Sequence, residues 1–182
     1  MKKSIVVSIS STKFSALAFK EDFEESIKKV ADLGFDGAEL AVRNPKDLKV
    51  EDVIKIIKEN NLEVPAIGTG QAYGEEGLSF SDSDEVIRKM AVERINDQIV
   101  FASNFNAQVI IGLIRGNVEE SVGRAEAEEW TIDCLRECTE FAKEYNIRLT
   151  LEPVNRYESN FINTLNEGIE FIKRVGASNL GL

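Results

Sequence analysis

The sequence predicts an α/β fold, and three observations carry that prediction. Strand-like and helix-like apolar patterns alternate along the whole chain. The strand-like runs begin near residues 5, 37, 64, 108 and 147, a spacing that leaves room for one helical crossover each. They are rich in Val, Ile, Leu and Ala, as parallel strands buried on both faces require. Strands alternating with helices imply parallel βαβ units. The spacing matches a (β/α)8 barrel of about 250 residues. The 182 residues here supply about five units and the start of a sixth strand, read as one domain truncated on its C-terminal side. An open doubly wound sheet satisfies the same periodicity.

Residues 5–10 read as the first strand. Asp22, with Glu25 three residues on, starts a helix by a capping box. Phe23, Ile27, Val30 and Ala31 share its inner face, and Gly34 ends it. Residues 37–42 form a short second strand; 47–60 are helical, with Val50, Val53, Ile54 and Ile57 inward. A third strand, 64–69, precedes a long polar, glycine-rich loop over 70–83. Ser83 opens a helix to about Asn104, its early acids favouring the N-terminus. Residues 108–113 are the fourth strand, and a loop through Arg115 and Arg124 leads to a helix ending near Tyr145. Residues 147–152 are the fifth strand. Thr164 and Glu167 make a second capping box, Gly176 closes that helix, and 179–182 enter a sixth strand.

Composition narrows the function. A net charge of −10 argues against nucleic acid or an anionic membrane as partner. No segment approaches the ~20 apolar residues of a membrane span. The apolar run near the N-terminus is short, contains serines and reads as a strand rather than a signal peptide. Cys134 and Cys138, four apart on a helix, read as small core hydrophobes, and cytoplasmic residence is the default. Histidine is absent, which removes Ser-His-Asp and Cys-His catalysis and histidine-rich zinc sites from this chain.

Residues 149–164, LTLEPVNRYESNFINT, are the most informative stretch. A buried strand ends in Glu152, and a polar turn adds Asn155, Arg156 and Glu158. Carboxylates, an amide and a guanidinium at the C-terminal tip of a strand suit a metal and a polyhydroxy ligand. A carboxylate directly after Leu149-Thr150-Leu151 needs compensation, from a metal or from an ion pair with Arg156 or Arg115. On a barrel the same rim collects Ser10, Ser11, Glu39, Arg43, Thr69 to Gln71 and Arg115. Glu39 has a helix-cap or salt-bridge role as its alternative. Gln71 is a candidate for a substrate hydroxyl and Tyr73 for a pocket wall, unless both serve their own loop. Gly68-Thr69-Gly70 is not the dinucleotide fingerprint, because the spacing to Gly74 is wrong and it follows the third strand.

These segments, with AIGTGQAYGEEGLS at 66–79, VIIGLIRG at 109–116 and Gly37-Ala38-Glu39-Leu40, give the chain its resemblance. It resembles the xylose-isomerase-like TIM-barrel sugar isomerases and epimerases, nearest the ketose 3-epimerases of the tagatose/psicose type and the 5-keto-L-gluconate epimerases. The resemblance implies barrel topology over the doubly wound sheet. It also implies C3 epimerisation of a ketose or keto sugar acid through an enediolate. By the resemblance Glu152 is a metal ligand and proton-transfer base and Glu158 lies against the sugar, a solvated loop acid being the alternative for Glu158. Asn155, Gln71 and Arg115 are candidate substrate contacts by their places on the rim, with fixing the loop as the alternative for Asn155 and Arg156. The cofactor implied is a divalent metal, Mn2+ first, with Mg2+ or Co2+ as alternatives. The family's aspartate, histidine and second glutamate ligands come from later strands that this chain does not contain. The 182 residues alone are therefore expected to bind metal weakly and turn over no sugar. A small-molecule sugar is the expected partner, and open sheet edges predict pairing with another chain, as a homo-oligomer. The competing readings are a non-catalytic half-barrel assembly module and an aldose–ketose isomerase.

Overall fold

The computed structural model describes residues 1–12, 18–20 and 22–182. In chain order these residues form β1 (Ser4–Ser8), α1 (Phe23–Asp32), β2 (Gly37–Ala41), α2 (Val50–Glu59), β3 (Ala66–Gly68) and α3 (Gly70–Glu76). There follow α4 (Glu85–Ser103), β4 (Gln108–Ile111), α5 (Arg124–Glu144), β5 (Leu149–Leu151), α6 (Leu165–Val175) and β6 (Leu180–Gly181). The six strands make one sheet in the order β1-β2-β3-β4-β5-β6, parallel throughout. Sequential order settles the choice left by periodicity. A doubly wound sheet reverses direction at a switch point; here every crossover steps the same way, so right-handed connections put all helices on one face. The result is an open part of a barrel wall, with β1 and β6 as its edges.

The two faces of the sheet differ, as the two-residue period of a strand requires. Val7, Ala38, Leu40, Ile67, Val109, Ile111, Leu149 and Leu151 point to the helices and are fully buried. Against them pack Ile95 and Ile99 of α4 and Leu135 and Cys138 of α5. The alternate residues line the concave side, where one row runs in register through Ser8, Ala41, Gly68, Ile110, Thr150 and Gly181. Cys134 and Cys138 are free thiols inside the core. Burial pushes the Cys134 thiol up to about 12 and raises that of Cys138 in the same sense, so both behave as apolar groups.

Local signals set most boundaries. The Asp22 carboxylate accepts from Glu25 N at 2.9 Å, and Thr164 and Glu167 form a complete capping box. Gly176 adopts the left-handed cap at φ 75°. Strands β1 to β5 are shorter than the sequence reading, and three helical features also depart from it. Helix α2 begins at Val50 rather than 47, because Asn44 caps a separate 3-10 turn over Pro45–Asp47. Asp84, not Ser83, caps α4 through Val86 N. The span 70–83 is not a simple loop, since it begins with α3. Two glycines, each costing about 1 kcal/mol in a helix, hide that helix from propensity. Tertiary contacts supply what propensity lacks: Ala72 is fully buried, Arg94 chelates Glu76, Arg43 reaches Glu75 and Glu76, and the Thr12 hydroxyl meets Glu75.

Candidate active site

Beyond the C-terminal ends of β2 to β5 lies a cavity of about 430 Å3. Its walls carry Glu39, Gln71, Glu152, Asn155 and Glu158, with no Lys or Arg among its lining residues. Glu152 sits one residue past β5, where its backbone N still donates to Ile111 O of β4 at 3.0 Å. Its carboxylate leans over Gly112, close enough that a Cβ there would stand 2.7 Å from Oε2. Glu39 makes the same use of β3: a Cβ on Gly68 would be 3.3 Å from its Oε1. Two glycines thus form the floor on which two carboxylates rest.

Neither carboxylate has a hydrogen bond or ion pair among the described residues. The compensating pair weighed for Glu152, with Arg115 or Arg156, does not form. Arg156 is exposed and lies over the Tyr157 ring, 5.7 Å from its centroid. Crowding by protein raises the Glu152 pKa above the usual carboxylate value; the Arg115 charge works against this and Glu158 adds to it. Burial, then the Glu152 charge, raises that of Glu39. Glu39 therefore takes neither the cap nor the salt-bridge role and faces the cavity. Its signal was a lone acid in mid-strand among Ala and Leu.

A raised carboxylate pKa has a stability consequence of definite sign. The native state holds the proton more firmly than the unfolded chain, so stability falls as pH rises from about 4.5 through the folded value, then levels off. In metal-free protein, Glu39→Gln is expected to raise the melting temperature near neutral pH. The gain should shrink as pH falls towards 4.5. A thermal melt series would show it; a gain independent of pH would mean the charge is not the cause.

Glu158 and Asn155 meet at the rim. Asn155 Oδ1 accepts from Tyr157 N at 2.9 Å, making an Asx turn, and its Nδ2 donates to Glu158 Oε1 at 2.8 Å. That amide engages one oxygen of Glu158, and Glu158 is itself among the residues lining the cavity. Gln71 is buried in the wall, its Nε2 donating to Ser8 Oγ at 2.7 Å, which in turn donates to Ser10 O. Tyr73 turns away and accepts from Asn117 Nδ2 at 2.8 Å.

Arg115 corrects the sequence reading. It does not line the cavity. The chain leaves β4 through a 3-10 turn, Leu113–Arg115, which carries the side chain beneath the 159–162 segment. There it is fully buried and spends its donors on backbone carbonyls.

The donor set suits a hard divalent cation in charge and atom type, because Glu152 and Glu39 offer unpaired carboxylate oxygens. No group of three or more acidic, cysteine or histidine side chains converges among the described residues, so these two carboxylates alone do not make a full coordination shell.

Known proteins resemble this arrangement. The profile of the xylose isomerase-like TIM barrel family matches residues 27–182. An L-ribulose 3-epimerase of Mesorhizobium japonicum is 26% identical over 178 residues, covering 97% of this chain and 59% of its own length. A D-psicose 3-epimerase of Ruminiclostridium cellulolyticum is 27% identical over 170 residues, covering 89% of this chain and 56% of its own. A solved L-ribulose 3-epimerase superposes with a TM-score of 0.78 at 26% identity, over 99% of this chain and 59% of that one. A 3-keto-D-glucoside 4-epimerase of E. coli shares the fold with a TM-score of 0.75 at 20% identity. The chain spans a little over half the length of these curated relatives. A profile match over most of its length, on a sequential parallel sheet with acids at its C-terminal rim, places this chain in the xylose isomerase-like TIM-barrel family.

Proposed function

We propose that the protein to which this chain belongs is a metal-dependent ketose 3-epimerase, and that these residues supply its N-terminal catalytic wall. The unpaired Glu152 carboxylate on a glycine floor, facing a cavity that also holds Glu158, carries this reading. The names of the relatives, L-ribulose and D-psicose 3-epimerases, support the reaction class. In this reading Glu152 is one metal ligand and also removes the proton at C3. The raised pKa set by its surroundings suits a group that must both take and hold a proton. Glu158 accepts from a sugar hydroxyl with its free oxygen, Asn155 fixes Glu158, and Gln71 walls the chain of the sugar. A divalent cation, Mn2+ or alternatively Mg2+ or Co2+, supplies Lewis-acid stabilisation of the enediolate when bound. The carboxylate returning the proton on the opposite face, with the remaining ligands, belongs to later strands.

The test is C3 hydrogen exchange into D-psicose or L-ribulose in D2O, with metal content measured on the same full-length protein. Exchange that chelation abolishes is expected. Bound metal without exchange into either ketose would remove the epimerase reading in favour of aldose–ketose isomerisation. Neither metal nor exchange would favour the assembly module. The open edges of β1 and β6 support pairing with further strands or a second copy. Among the described residues no helix is long and apolar enough to cross a membrane.

A further inference from the structure

We propose that Arg115 is a positioning residue: its guanidinium clamps the 159–162 segment and the left-handed backbone of Ile162, fixing the loop that carries Asn155 and Glu158 relative to Glu152. The clamp is a structural statement. Its catalytic consequence rests on the reading given under Proposed function.

Four observations carry it. First, Arg115 is the largest fully buried side chain among the described residues, and no carboxylate among them pairs with it. Its Nε donates to Phe161 O at 3.0 Å; Nη2 donates to Phe161 O at 2.6 Å, Ile162 O at 3.1 Å and Ser159 Oγ at 3.4 Å. Nη1 donates to Gly112 O at 2.6 Å. A buried charge held by neutral acceptors is costly to keep, and burial lowers the Arg115 pKa to about 10, leaving it charged near neutral pH.

Second, Ile162 has φ 55°. A β-branched residue in the left-handed region is strained and persists only where its surroundings enforce it. Arg115 holds the carbonyl of that residue. Third, Ile162 O also accepts from Val154 N at 3.3 Å, and Asn163 Nδ2 donates to Val154 O and Ser159 O at 2.8 and 2.7 Å. These bonds draw the two ends of the loop together, with Asn155 to Glu158 at its tip. Fourth, Gly112, whose carbonyl takes the Nη1 bond, is the floor beneath the Glu152 carboxylate. One guanidinium thus joins the floor of one glutamate to the loop of the other. Lysine cannot reproduce this, since a point ammonium does not span a planar fork of acceptors.

The experiment follows amide deuterium exchange of segment 159–163 in the full-length protein, with β1 to β3 as internal control. Arg115→Met is expected to speed exchange there roughly tenfold, as loss of a charged hydrogen bond implies, and to leave β1 to β3 unchanged. Arg115→Lys should fall between. The same change is then made in Ile162→Ala and Ile162→Gly backgrounds, which leave nearly equal cavities but differ in whether the backbone resists a positive φ. The effect of Arg115→Met should be smaller with glycine at 162 than with alanine. Unchanged exchange, uniform loosening of the whole fold, or equal effects in the two backgrounds would overturn the clamp. On D-psicose or L-ribulose, whichever the protein turns over, Arg115→Met should lower kcat by about 10²-fold with little change in KM. A changed exchange pattern with unchanged kcat would keep the clamp and refute its catalytic consequence. Absence of wild-type turnover would instead count against the function proposed above.

Discussion

Glu152→Gln is expected to lower C3 hydrogen exchange by about 10²- to 10⁴-fold, the range typical of losing a positioned proton-transfer group. Glutamine keeps the shape of the side chain and its place over Gly112, so packing is retained. On the function proposed here, it removes the negative charge that would hold a cation and the basic oxygen that would take the C3 proton. Because no described donor pairs with the carboxylate, no buried partner is orphaned by the change. In metal-free protein near neutral pH the melting temperature should hold or rise, as at Glu39, because the charge removed is one that its surroundings disfavour. Glu158→Gln is the comparison, with a smaller expected effect because it removes a hydroxyl contact and leaves the base. The kinetics and a thermal melt of both variants decide it. Retained exchange in Glu152→Gln would show that another group takes the proton.

Gly116→Ala is expected to destabilise the protein by roughly 2–4 kcal/mol, from a positive-φ penalty added to overpacking. Gly116 follows the 3-10 turn at φ 89°, where a Cβ would collide with the hydroxyl oxygens of Ser79 and Ser81. Those hydroxyls are not free to retreat. Ser81 Oγ donates to Asn117 O at 2.7 Å, and Asn117 in turn ties Tyr73 of α3 and the backbone of Asn160. Gly34→Ala is the control: φ is 77° but nothing lies within 4 Å of the added Cβ, so only the backbone penalty of about 1 kcal/mol applies. Denaturant melts of the two variants separate the contributions. Equal losses would show that the serine cluster yields.

The alternation of strands and helices, the Asp22 cap, the Thr164–Glu167 capping box and the glycine helix ends were legible because each is a local pattern of a few residues. Barrel topology was not legible from period, since sequential and switched strand orders share the same strands; the order is set by crossover geometry between distant segments. Helix α3 was hidden by Gly70 and Gly74, and it stands on ion pairs from Arg43 and Arg94 that no local pattern announces. At the cavity, Glu152, Glu158, Asn155 and Gln71 were found from their places after strands, and all four line it. Arg115 misled because a charged residue after a strand reads as a rim group, whereas one 3-10 turn rotated it inward. Glu39 was weighed evenly because one acid in a strand does not reveal which face is open.

Each strand pairs only with its neighbours in sequence, from Leu40 with Ile67 to Ala66 with Gln108. Assembly can then advance as a row. Each new βα unit leaving the ribosome finds the previous strand already waiting as its template, and behind the growth front only the outer edge of β1 stays without a neighbour. The newest strand is always the growth front, and until its successor arrives its backbone groups are the adhesive part of the nascent chain. Glu39, on β2, is in place long before Glu152, on the residue after β5. Glu39 first meets the Glu152 charge, which helps to raise its pKa, only when the fifth strand docks.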